Sequence, residues 1–138
     1  MQDRACAIRV AKNTLFRVLN HRKLSENHIN QIQCLLQSHP ALINEKNTLG
    51  HTSLFFAIEK GHSIVVPVLL AAGADIHVKV GVKALQAIHF AAQLGRLAIV
   101  KILLETEPDL LEVVDAYGQT PLLLAAATGH AHTVNYLM

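Results

Sequence analysis

Nine histidines in 138 residues are the first place to look for chemistry, because imidazole ligates metals and moves protons near neutral pH. His130 and His132 form the most metal-like pair. Two residues apart on a helix, however, the two rings point away from each other, and no third ligand is evident. His62 and His130 each follow a glycine, in Gly61-His62 and Gly129-His130, which assigns both to turns. Ser53 and Ser63 lack a nearby histidine and carboxylate pair, and no GxSxG elbow, phosphate-cradling loop or glycine-rich nucleotide signature occurs. Cys6 and Cys34 have no CxxC spacing, so neither a thiolate zinc site nor a disulfide framework is expected. The residues therefore predict no catalytic group, no cofactor and no metal.

What positions these residues is a repeat. Leu54, Ala57, Gly61, Val66, Leu69 and Leu70 recur 34 residues later as Ile88, Ala91, Gly95, Val100, Leu103 and Leu104. They recur again as Leu122, Ala125, Gly129, Val134, Leu137 and Met138. A fixed period of this size marks a stacked-repeat architecture. Within Asn47 to Lys79, Thr52-Ser53 offers a hydroxyl cap to a short helix carrying Leu54 and Ala57-Ile58. Gly61 ends that helix, and a second helix is expected from about Ser63 to Ala72, ended by Gly73. The residues between one such pair and the next are too few and too polar for a third helix, and predict a hairpin or extended connection.

These residues resemble ankyrin repeats. The resemblance rests on Gly50, Thr52, Leu54, Ala57, Gly61-His62, Val65-Val66, Leu69-Leu70 and Gly73-Ala74-Asp75. Ile88-His89, Ala91-Ala92, Gly95, Val100 and Leu103-Leu104 carry it in the next copy, and Asp115, Gly118, Thr120-Pro121-Leu122, Ala125-Ala126 and Gly129-His130 in the last. The family's Thr-Pro-Leu-His motif is intact in none of them: Phe55 and Leu123 stand where histidine is usual, and Gln86 stands where threonine is usual before His89. The resemblance implies an all-α helical solenoid with short hairpin or loop connections, and a role for His89 in bonding a neighbouring backbone. The expected division is an N-terminal helix and degenerate capping repeat over 1–46, repeats over 47–80 and 81–114, and a last repeat over 115–138 cut inside its second helix. That last feature predicts a piece of a longer protein.

Residues 1 to 20 read as an amphipathic helix with Ile8, Ala11, Leu15 and Val18-Leu19 on one side. Ser25 caps the next helix, which carries Ile29, Ile32, Leu35 and Leu36. His39-Pro40-Ala41-Leu42 and Glu107-Pro108-Asp109-Leu110 replace the Gly-Ala-Asp segment at the ends of two second helices. Two positions conflict with the pattern. Pro67 falls inside the expected second helix of the central copy, which must start later or bend. Ala84 replaces the turn glycines Gly50 and Gly118, which predicts a remodelled turn.

Composition sets the limits. Hydrophobic residues make up 51% of the chain, enough for a core, and no apolar run is long enough for a membrane span or a secretory signal, so a cytoplasmic setting is expected, or a host cytosol for a secreted effector. Six basic residues precede Leu24 against Asp3 alone, a balance of +5 within an overall +2, which leaves the remainder at −3. In that remainder Glu105, Glu107, Asp109, Glu112 and Asp115 form an acidic run.

The family resemblance implies a partner protein of unspecified identity, bound by hairpin tips and exposed first-helix positions that line a concave face. Carried over, these are Thr48, Leu49, His51, Phe56, Glu59 and Lys60; then Val82, Lys83, Leu85, Phe90, Gln93 and Leu94; then Ala116, Tyr117, Gln119, Leu124 and Thr128. The alternative for Phe56, Phe90 and Leu124 is packing between neighbouring first helices. An enzyme is not expected, nor is a small-molecule substrate. Two other functions are carried alongside the first: the recognition arm of a larger enzyme or bacterial effector, and association with a membrane or nucleic acid through the basic first helix.

Overall fold

The structure, a computed structural model, describes residues 2–47 and 50–138, with side chains described from Arg9 onward. Among the described residues all regular structure is helical apart from one isolated bridge between Val80 and Leu85. The chain divides into two compact units, Met1–Asp75 and Ile76–Met138. No described helix is long and apolar enough to cross a membrane.

The first unit begins with α1 (Gln2–Leu19), whose stripe of Ala11, Leu15, Val18 and Leu19 is buried. Arg17 and Val10 are exposed on its outer side. α2 (Glu26–Ser38) opens where the Ser25 N–H donates to Nδ1 of His28 at 3.0 Å, and it buries Ile32 and Leu36. His39 and Pro40 stop it, and a 3-10 turn over Pro40–Asn44 buries Leu42 and Ile43. Proline ends a helix but fits the first position of a new turn, so one residue does both.

α3 (Ser53–Lys60) follows, with Leu54, Phe55, Ala57 and Ile58 buried. Thr52 holds the N-cap position, yet its hydroxyl makes no capping bond; Ser53 instead donates to the Ile43 carbonyl at 3.3 Å. The expected hydroxyl cap is therefore replaced by a tie to the preceding turn. At the other end Gly61 adopts φ +78, which lets the His62 N–H reach back to the Ala57 carbonyl at 2.9 Å. The second helix of this copy, α4, runs Val66–Ala71 rather than from Ser63. Pro67 is its second residue, where the missing N–H has no intrahelical partner to lose, so of the two expected outcomes the late start is the one that forms.

The second unit holds α5 (Ala87–Leu94), α6 (Leu97–Thr106), a 3-10 turn over Pro108–Glu112, α7 (Pro121–Ala127) and α8 (Ala131–Leu137). The turn after the first helix repeats the same bond twice more: Arg96 N–H to Ala91 carbonyl at 2.9 Å, and His130 N–H to Ala125 carbonyl at 3.0 Å. α5 packs beside α7 and is buried through Ala87, Ile88, Ala91 and Ala92, while Ala125 is buried on α7. Side chains this small let helix backbones come close. Ile99, Val100 and Leu103 of α6 and Leu110 of the 3-10 turn complete the core.

Candidate interaction surface

Histidines make the ties between successive helix pairs. His62, buried, places Nε2 2.8 Å from the carbonyl of Leu19, the last residue of α1. His130 does the same to Gln93 of α5 at 2.9 Å. His89 is fully buried: its Nδ1 accepts from the Gln86 N–H at 3.1 Å, and its Nε2 lies 2.9 Å from the Val113 carbonyl. Each ring thus serves backbone groups that burial would otherwise leave unpaired. His77, which the sequence did not single out, lies 3.3 Å from Gln86 Oε1 and 2.9 Å from Glu107 Oε2. Among the described residues no group of three histidine, cysteine, aspartate or glutamate side chains is placed to hold a metal ion.

Hairpins connect the helix pairs. The last closes with the Asp115 N–H on the Gln119 carbonyl at 3.0 Å, and Asp115 Oδ1 accepts from the N–H groups of Tyr117 at 2.8 Å and Gln119 at 2.9 Å. Burial pushes the Asp115 carboxyl up, but these two N–H groups, with Lys83 nearby, outweigh it and hold the group below its ordinary value of 3.8. In the hairpin that starts at Asn47, Asn47 Oδ1 likewise accepts from the His51 N–H at 3.0 Å. Gly81 occupies the corresponding place in the middle hairpin and has no side chain to do this. There the closure moves out by one residue, to Val80 and Leu85, which exchange N–H to carbonyl bonds of 2.9 and 3.0 Å. Ala84 takes the left-handed conformation of Gly50 and Gly118, at φ +53 with its N–H on the Gly81 carbonyl at 3.1 Å, so the turn expected to be remodelled is kept and only its closure differs.

The middle and last hairpins are joined tip to tip by the Ala116 N–H donating to the Lys83 carbonyl at 2.9 Å. Beside that bond stand Val82, 92% exposed, and Tyr117, 65% exposed. Lys83 and Ala116 are exposed with them, and Leu85 and Gln119 are half-buried at the bases. Thr48 and Leu49 lie outside the described residues. His51 is half-buried with Nδ1 3.8 Å from Glu59, and Phe56 is half-buried with exposed Lys60 over its ring, 5.6 Å from the centroid.

Along the first helices, Phe90, Gln93 and Leu94 are half-buried, and Thr128 is exposed with its hydroxyl donating to the Leu124 carbonyl at 2.8 Å. Leu124 itself is buried at 4% exposure, unlike the half-buried Phe56 and Phe90 at the equivalent positions, and offers a partner no surface. Leu123, at the place of the family's histidine, is instead 52% exposed. The acidic run is also divided. Glu105, Asp109 and Glu112 are exposed, while Glu107 faces His77 and Asp115 turns inward to its own hairpin.

Comparison with known proteins agrees with this geometry. The family described as ankyrin repeats (3 copies) matches residues 79–138, and the ankyrin repeat family matches residues 49–79. The chain is similar to protein fem-1 homolog A-like of Mus musculus, 37% identical over 105 residues, covering 76% of this chain and 16% of that protein. It is 34% identical to protein fem-1 homolog A of Homo sapiens over 104 residues, 75% of this chain and 15% of the relative. It is also 35% identical over 105 residues to the human transient receptor potential cation channel subfamily A member 1, 75% of this chain and 9% of that one. The matched chain thus spans about a sixth of its fem-1 relatives' length and less of the channel's.

Proposed function

Because the chain belongs to the ankyrin repeat family, we propose that it is a protein-interaction module that meets its partner through its hairpin tips and the exposed positions of its first helices, the side expected to be concave in this family. The observation that carries this reading is the pair Val82 and Tyr117. An aliphatic and an aromatic side chain stand in solvent on hairpins that backbone bonds and the Asp115 carboxylate hold still. Exposed apolar side chains on a fixed backbone suit an interface, because little conformational freedom remains to be lost on binding and tyrosine is a favoured anchor. Lys83, exposed on the same hairpin as Val82, supplies a polar contact beside them. The relatives' greater length fits a module that recognises a partner for a larger protein.

The test is a selection of binders from a random peptide-display library, followed by affinity measurements on Val82→Ser, Tyr117→Ser and the double variant. Both positions are exposed, so the variants retain the fold. The expected loss is about tenfold or more for the double variant. Binders that keep full affinity for it would overturn the assignment of the tips.

A further inference from the structure

A second surface lies in the first unit. Arg9 and, three, four, seven and eight positions after it, Lys12, Asn13, Phe16 and Arg17 share one side of α1, and Asn20 follows directly after its end. With Asn47 and Phe56 they line a groove of about 710 Å³. Its lining has three cations and two phenylalanines, and no carboxylate among the described residues. Phe16 and Phe56 meet edge to face, with centroids 5.6 Å apart and planes at 89°, and Lys60 covers the Phe56 ring. Lys12 Nζ is held 3.4 Å from the Lys46 carbonyl. Glu59, the acidic residue closest in sequence to Phe56, turns to His51.

We propose that this groove binds an acidic peptide segment carrying an apolar side chain between its carboxylates. The proposal rests on the protein-binding reading above and names a partner class for one end of the module. Charge complementarity selects the sign: Arg9, two turns before Phe16, and Arg17, directly after it, are both exposed and both line the groove, so carboxylates before and after a central apolar residue have a guanidinium each to meet. The two rings provide the apolar contact between them, and the exposed amides of Asn13 and Asn20 offer donors and acceptors to a peptide backbone. A nucleic acid fits less well. Base stacking needs an open aromatic face, whereas Phe56 has Lys60 over its ring and Phe16 against it. A membrane surface fits less well too, because both rings are half-buried and do not project.

The test uses fluorescein-labelled peptides with a leucine flanked by glutamate pairs, the same peptide with lysines for glutamates, and one with glycine for the leucine. The glutamate peptide is expected to bind at least about tenfold more tightly than the lysine one, and more weakly as salt rises. Arg9→Glu with Arg17→Glu, both at exposed positions, is expected to reverse that preference while circular dichroism stays unchanged. Equal affinity for both charge types, or a preference that survives the reversal, would overturn the proposal, and so would indifference to loss of the leucine. Phosphatidylserine vesicles or duplex DNA bound as tightly as the peptide, and released by the same reversal, would overturn it in favour of a general polyanion surface. Val82→Ser with Tyr117→Ser is expected to leave the glutamate peptide's affinity unchanged. Failure of the peptide alongside tip-dependent binding would sink the groove and spare the tips, and loss of tip dependence alone would sink the tips and spare the groove.

Discussion

His89 holds Val113 by a single bond: Nε2 of the ring lies 2.9 Å from the Val113 carbonyl, while Nδ1 accepts from the Gln86 backbone at 3.1 Å. Because Nδ1 is an acceptor here, the proton of the neutral ring sits on Nε2 and the ring donates to Val113. One side chain thus caps the start of α5 and anchors the chain that leads into the last hairpin. His89→Ala removes both partners inside a fully buried site. The expected loss is about 2–4 kcal/mol, read from urea unfolding, because a backbone N–H and a carbonyl are left unpaired and a cavity opens.

Asp115 makes the last hairpin sensitive to acid. Burial raises its carboxyl, but the N–H bonds from Gln119 and Tyr117, with the Lys83 ammonium nearby, lower it further than burial raises it. A group whose folded value is depressed stabilises the fold above its unfolded value and loses that contribution as pH falls through the folded one. The window is therefore below the ordinary 3.8. The thermal midpoint is expected to fall on acidification through that window, and Asp115→Asn to flatten the fall while lowering the midpoint at neutral pH. An unchanged acid slope in Asp115→Asn would assign the sensitivity to other carboxylates.

Gly95 is required twice over. Its φ of +71 lies in the left-handed region, and a Cβ there would run into the ring of His130. Gly95→Ala is expected to cost about 2 kcal/mol or more. Combining it with His130→Ala removes the clash but not the backbone strain, so the double variant is expected to be less destabilised than the sum of the singles. A strictly additive cycle would show that the ring moves aside freely.

Ala84 is the opposite case, a residue with a side chain at φ +53 and only half-buried. The left-handed conformation costs alanine about 1–2 kcal/mol, and glycine recovers this less roughly 0.4–1 kcal/mol of added freedom in the unfolded chain. Ala84→Gly is thus expected to raise stability by about 0.5–1 kcal/mol, visible as a higher urea midpoint with the same slope. A lower midpoint would mean that the loop relaxes its backbone at no cost.

Much of this architecture is legible in the sequence because it is local. The period exposes the turns at Gly61 and Gly95 and the stops at Pro40 and Pro108, and Pro67 marks its own helix as late or bent, of which the late start is what forms. Less legible is whatever joins separate helices. The link from Asn20 to Leu24 breaks the 34-residue register, so no shift aligns α1 with α3, and the meeting of Phe16 with Phe56 and of His62 with Leu19 is invisible beforehand. His77 and Glu107 are likewise too far apart for any helical spacing to pair them. At the tips the pattern places Val82 and Tyr117 on hairpins, but it carries Leu124 over from Phe56 and Phe90 as an equivalent position although Leu124 is buried and they are half-buried.

The middle hairpin shows how a repeat absorbs an irregularity. Its closing bonds sit one residue further out than the corresponding bond of the last hairpin, yet α5 and α7 both begin two residues after the closing position, at Ala87 and Pro121. A loop of altered length is therefore sealed off from the helices it joins. Evolution or an engineer can rewrite the side chains that stand in solvent at the tips, such as Val82 and Tyr117, while a residue that closes the hairpin from within, such as Asp115, stays under the selection that keeps the chain folded.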